Sequence, residues 1–125
     1  MKISKEKYCI VSIPSKQIER FDLVNLSKNF YSFIYDTNNI TLIINQKNWK
    51  EIEKNFALYK IEKSFRILTP DAELSWDVVG FIANLTKILA ENKISVGVIS
   101  SFSKDHLLIR NKDVRKARKV LKNEI

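Results

Sequence analysis

Apolar positions first repeat with a strand's spacing at Tyr8–Ile13, where Tyr8, Ile10, Val11 and Ile13 stand among smaller residues and Pro14 ends the run. Ser15–Arg20 predicts a short helix behind Pro14 with Ser15 as its cap, and Phe21–Asn29 reads as loop or a single helical turn. Phe30–Tyr35 and Ile40–Ile44 are β-rich runs around Asp36-Thr37-Asn38-Asn39, a hairpin signal because Asp and Asn tolerate turn conformations. Lys47–Asn55 is polar apart from Trp49 and Ile52, which predicts one short helix laying those two side chains on a core. Phe56–Ile61 and Phe65–Leu68 are short apolar runs around Glu62-Lys63-Ser64 and form one bent strand or two. The break near Glu62 is expected to divide the chain into residues 1–62 and 63–125.

Thr69-Pro70 ends the next strand, since Pro70 cannot donate to a ladder. Ser75 is a good N-cap for a helix over about Trp76–Glu91, in which Val78, Ile82, Leu85 and Leu89 form one buried stripe widened by Phe81 and Ile88. Asn92 suits the left-handed position at the helix end. Ile94–Ile99 then reads as a strand with Ile94, Val96 and Val98 on one apolar face, and His106–Ile109 as its partner across the turn Ser100–Asp105. Asn111 is expected to cap a last helix over roughly Lys112–Lys122. Its Val114, Ala117, Val120 and Leu121 face inward, and its Arg115, Lys116, Arg118, Lys119 and Lys122 face solvent.

The order β-α-β-β-α after residue 63 is a ferredoxin-like unit without its last strand. Residues 1–62 hold a degraded version of the same order, so the predicted class is α+β, with a β-rich unit preceding a ferredoxin-like one. The missing strand leaves a sheet edge that proteins normally cover. The strand Tyr8–Ile13, or a partner chain, is expected to fill it.

At 125 residues with 45% hydrophobic content, the chain suits one compact domain or two small units. Cys9, the only cysteine, excludes an internal disulfide, and its apolar neighbours mark it as a buried, inert thiol. No run approaches the ~18 apolar residues of a membrane-spanning helix, and the N-terminal apolar run is too short for a secretory signal, so a soluble cytoplasmic protein is expected. The net charge of +8 raises the question of nucleic acid, but lysine is scattered along the whole chain. No phosphate-binding glycine loop, nucleophile elbow or zinc pattern occurs. His106 has no nucleophile partner in sequence and is read as a strand histidine with a structural hydrogen bond. Catalysis, a cofactor and a metal are therefore not expected.

Chemistry-bearing residues concentrate in the loop before the long helix and in the turn between the last two strands: Glu73, Ser75, Trp76, Asp77 and Gly80, then Ser100, Ser101, Phe102 and Asp105. Each segment follows a strand of one sheet, so the two should approach each other and form a small-molecule site.

The same stretches carry a family resemblance. Leu74-Ser75-Trp76-Asp77-Val78-Val79-Gly80-Phe81-Ile82-Ala83, Ala90–Val96 and Ile99-Ser100-Ser101-Phe102-Ser103-Lys104-Asp105-His106-Leu107-Leu108-Ile109 resemble an ACT domain. The last run is the most specific, matching a Ser-Thr/Ser-aromatic-x-x-Asp-Tyr/His-Leu-Leu-Val pattern. More narrowly, the chain resembles small two-unit ACT proteins related to the regulatory region of aspartate kinase and to the CASTOR arginine sensors. The match covers about Ser64–Leu121 and departs from the commonest ACT pattern, which has a Pro-Gly pair before the helix. The resemblance implies a non-catalytic regulatory module that binds a small effector, with an amino acid as the expected ligand, and that forms a homodimer. It would place the ligand's carboxylate at the helix start near Ser75 and Gly80. Its ammonium would meet Asp77, Asp105 or Glu73, the Ser100–Phe102 backbone would supply donors and acceptors, and Trp76 or Phe102 would form a wall. The alternatives are a basic ferredoxin-like nucleic-acid binder, disfavoured because an RNA-binding aromatic motif is missing, and a structural dimerisation module with a vestigial site.

Overall fold

A computed structural model describes every residue except Glu73 and Ile125. The chain divides into two compact units, Glu6–Ser64 and a second that joins Met1–Lys5 to Phe65–Ile125.

In the unit Glu6–Ser64, strands β2 (Tyr8–Pro14), β3 (Ser32–Tyr35) and β4 (Asn39–Asn45) form an antiparallel sheet in the order β3-β4-β2. Cys9, Val11 and Ile13 alternate on β2, and with Ile40, Leu42 and Ile44 of β4 they form one apolar face. The predicted hairpin is present, closed by the Asp36 amide on the Asn39 carbonyl. Helix α1 (Gln46–Ile52) buries Trp49 in that core, where its ring stacks on Phe56.

The segment Ser15–Arg20 is a 3₁₀ turn, but Ser15 does not cap it; Pro14 holds the cap position and the Ser15 hydroxyl donates to the Thr37 carbonyl instead. Ala57 and Leu58 lie outside any strand for a definite reason. The buried Gln17 side chain accepts from the Ala57 amide and donates to the Leu58 carbonyl, occupying the groups a ladder would need. Strand β5 therefore starts at Lys60 and runs to Thr69, with Ser64 at φ 68° inside it.

The second unit contains the latter part of β5, helix α2 (Phe81–Glu91), strands β6 (Val96–Ser100) and β7 (Asp105–Arg110), and helix α3 (Val114–Val120). Its remaining strand is β1, Lys2–Ile3, which pairs antiparallel with β5 at Lys2↔Thr69 and Ile3↔Leu68. With β5 on β7 and β7 on β6, the order is β1-β5-β7-β6. Residues 2 and 3 thus fill the edge beside this end of β5, while β2, the strand that holds Tyr8–Ile13, is also a hydrogen-bonded neighbour of β5, so the expectation that Tyr8–Ile13 fills the edge is met in part and β1 supplies the rest. Two residues carry no periodicity, so β1 leaves no pattern to read. The core gathers Leu68, Leu85, Leu89, Ile94, Leu107, Ile109, Ala117 and Leu121, with Met1 and Ile3 packed against it. Both units repeat the ferredoxin-like order of elements, and the class is α+β as expected.

Three helix ends differ from the sequence reading. Helix α2 begins at Phe81, five residues later than Trp76, because Gly80 sits at the N-cap with φ 88°, a left-handed value that interrupts the helical ladder. A Cβ on Gly80 would meet nothing within 4 Å, so the glycine answers to backbone conformation and not to crowding. Val78 consequently lies outside the helix and is exposed, leaving Leu85 and Leu89 as the buried stripe. At the other end the left-handed residue is Lys93 (φ 59°), not Asn92. The Ile94 amide bonds the Leu89 carbonyl and the Lys93 amide the Ala90 carbonyl, a Schellman closure in which buried Ile94 meets the helix's own core face. Asn111 does not cap α3; it lies in a 3₁₀ turn, Asn111–Asp113, and its side-chain oxygen accepts from Arg66. Strand β6 begins at Val96 and not at Ile94, and Val98 on it is exposed, so the apolar face expected there keeps only Val96 on the strand, with the buried Ile94 preceding it.

Candidate functional site

The loop after β5 and the turn between β6 and β7 are joined directly. The Leu74 amide donates to the Ser103 carbonyl at 2.9 Å, and the Lys104 ammonium reaches the Asp71 carbonyl at 3.2 Å. Asp71 in turn pairs with the Met1 ammonium, which holds its carboxyl below the usual carboxylate range.

Between loop and turn lies a cavity of about 350 Å³. Seven of the nine residues singled out from sequence line it: Ser75, Trp76 and Gly80 on one side, and Ser100, Ser101, Phe102 and Asp105 on the other. Asp77 is not among the lining residues, and Glu73 lies outside the described residues. Ser75 serves no helix cap; its carbonyl accepts from the Val78 amide in a turn that precedes α2.

The turn is internally braced. The Ser100 hydroxyl donates to Asp105 Oδ1 at 2.8 Å, while the Ser101 amide and hydroxyl both donate to the Lys104 carbonyl. Behind it, His106 on β7 shares one ring nitrogen with the Thr69 hydroxyl at 2.8 Å and the other with the Ser101 hydroxyl at 3.4 Å. Burial lowers the His106 pKa, Asp105 opposes that shift and Lys104 adds to it. The ring is therefore a neutral strut that ties the end of β5 to the turn, in line with a structural histidine.

Sequence reasoning missed part of the lining. Leu74 and Val78 line the loop side, Phe81, Ile82 and Ala83 the helix start, and Ser103 and Lys104 the turn. The helix-start residues were legible only once Gly80 is taken as a left-handed N-cap; Ser103 and Lys104 were inside a turn already singled out.

The arrangement offers both charges. Asp105 and the serine hydroxyls present acceptors, and Lys104 presents a cation. The amides of Phe81, Ile82 and Ala83 open α2, precede its first ladder bond (Asn84 to Gly80) and have no side-chain cap. Trp76, Val79 and Phe102 are 95%, 94% and 101% exposed. Among the described residues there is no cluster of three metal-ligating side chains, and no helix is long and apolar enough to cross a membrane.

The ACT domain family profile matches residues 60–123. No curated protein matches the chain in sequence. Among solved structures, the aspartokinase α and β subunits superpose with a TM-score of 0.76 at 15% identity, covering 98% of this chain and 95% of that one. The ligand-free regulatory subunit of aspartate kinase from Thermus thermophilus gives 0.70 at 6% identity, covering 99% and 95%. Protein Atu0741 from Agobacterium tumefaciens gives 0.72 at 18% identity, covering 95% and 83%. At these identities the likeness speaks for the fold.

Proposed function

The chain belongs to the ACT domain family, and on that premise we propose that it is a non-catalytic regulatory protein whose cavity binds a free α-amino acid. The observation that carries this reading is the meeting of opposite charges in one small cavity. The α2 amides and Lys104 suit a carboxylate, while Asp105 with Ser100 and Ser101 suits an ammonium. Leu74, Val78 and Ile82 supply an apolar wall for the ligand's side chain. The regulatory subunit of aspartate kinase among the similar structures supports the regulatory half of the reading.

Trp76 and Phe102 line the same cavity and are exposed, as is Val79, which follows the lining residue Val78 in sequence. In this reading a second copy of the chain covers them, so that ligand binding and self-association influence each other and regulate a partner. The protein works in the cytoplasm in this reading, where free amino acids are its effectors.

A thermal-shift and calorimetric screen of the standard amino acids tests the proposal. One or a few should bind at micromolar to millimolar concentration and shift the sedimentation profile. A screen without any binder would overturn it.

A further inference from the structure

The unit that joins Met1–Lys5 to Phe65–Ile125 has a second concavity, of about 700 Å³, that shares no lining residue with the first. Lys5, Arg66, Lys112, Arg115 and Arg118 line it together with Asn111, and among the described residues that line it none is acidic or aromatic. The convergence is built by the fold. The Ser4 amide donates to the Ile67 carbonyl and the Ser4 hydroxyl accepts from the Ile67 amide, which fixes the backbone next to Lys5 against β5. Arg66 on β5 donates through Nε to the Ser4 carbonyl at 2.6 Å and through Nη1 to Asn111 Oδ1 at 3.2 Å. Both acceptors are neutral, so the guanidinium is held in place with its charge uncompensated. Lys112, Arg115 and Arg118 recur every three residues, a spacing that puts them on one face of the final helical segment.

None of the five cations takes part in an ion pair among the described residues. Like charges gathered this way repel one another unless an anion joins them. We infer that this groove is a binding site for a compact polyphosphate, an anion carrying two or more linked phosphate groups. One phosphate would leave most of the five cations unanswered, whereas a linked chain engages them from both walls, with the arginine forks giving bidentate contacts. The volume falls within the range of about 300–1,000 Å³ typical of small-molecule clefts. A single-stranded nucleic acid would call for aromatic stacking surfaces, and the lining provides none.

Calorimetry with orthophosphate, pyrophosphate and tripolyphosphate tests the inference, on the wild-type chain and on the double variant Arg115→Gln/Arg118→Gln. Both arginines are exposed, so circular dichroism should show an unchanged fold. Affinity should rise from orthophosphate to tripolyphosphate, fall with added salt, and drop at least about tenfold in the double variant, as for lost hydrogen bonds to a charged group. Equal affinity for orthophosphate and tripolyphosphate, or binding that the double variant leaves unchanged, would overturn it. So would single-stranded RNA that binds more tightly than tripolyphosphate through the same arginines, which would make the groove a nucleic-acid surface. Because no residue lines both cavities, loss of polyphosphate binding and loss of amino-acid binding are separate results.

Discussion

The amide of Leu74 and the carbonyl of Ser103 are hydrogen-bonded at 2.9 Å, so the two walls of the candidate amino-acid cavity are one bonded piece of backbone. The loop after β5 cannot shift without disturbing the turn that carries Ser100 and Asp105.

Asp105 anchors that turn and offers the only carboxylate among the described lining residues. Asp105→Ala should weaken amino-acid binding by about tenfold or more, the effect of removing a charged hydrogen-bond partner. The melting temperature should fall only slightly, since the side chain is partly solvated. Titration calorimetry checks this, and an unchanged dissociation constant would place the ligand elsewhere.

The two ends of α2 should respond oppositely to glycine chemistry. Lys93→Gly relieves a left-handed non-glycine residue at the Schellman position and should stabilise the protein by about 0.5–1 kcal/mol. Gly80→Ala puts a Cβ on a residue at φ 88° and should destabilise it by about 1 kcal/mol or more, although there is space for the methyl. Denaturant melts of the two variants give the signs.

Asn45 is buried and double-duty: its oxygen accepts from the Lys47 amide at the start of α1 and its amide donates to Glu6 at 2.6 Å. Asn45→Ala should destabilise by about 1–2 kcal/mol, the range for a lost N-cap. Asn45→Asp should not rescue fully, because it sets a second carboxylate against Glu6. Chemical denaturation of both variants measures the difference.

Burial raises the Cys9 thiol to about 11, and its sulfur donates to the Ile44 carbonyl. Little thiolate exists near neutral pH, so a thiol reagent should react with the native chain far more slowly than with the chain in denaturant. Rapid modification of the folded protein would show that β2 opens readily.

His106 has a folded pKa below its ordinary value because burial disfavours the cation. The unfolded chain then binds the proton more readily, at about pH 6.5. Stability from this group is complete above that pH and falls as pH drops through 6.5 toward the folded pKa. Melts between about pH 5 and 8 should show that slope, and His106→Gln should flatten it.

Most strands were readable because their apolar residues alternate or run together between turn signals: β2, β4 and β7 announce themselves. Helix α2 was readable in type but not at its ends. Ser75 and Val78 fit a helical pattern as well as Phe81 and Ile82 do, and only the backbone angle at Gly80 decides between them. Asn92 and Lys93 show the same ambiguity one residue apart. Ser15 and Asn111 looked like caps, but each bonds a distant segment, to Thr37 and Arg66, and such partners have no local signature. The cavity was legible as a place, since loop and turn each follow a strand of one sheet. The groove was not, because Lys5 and Arg66 join the α3 cations only through pairing that spans more than sixty residues.

That pairing also sets an order of events. Residues 2 and 3 are synthesised before the whole unit Glu6–Ser64, yet their partners on β5 come only after it. While the chain grows, the inserted unit has all its strands to hand, and the earlier-made segment must wait. Completing the later unit closes a long loop, a step whose entropic cost rises only slowly with length but which delays the contact. Any extension or modification that holds the first residues away from β5 would leave both an open sheet edge and an unfinished groove, so the strand hardest to see in the sequence is the one that completes the unit.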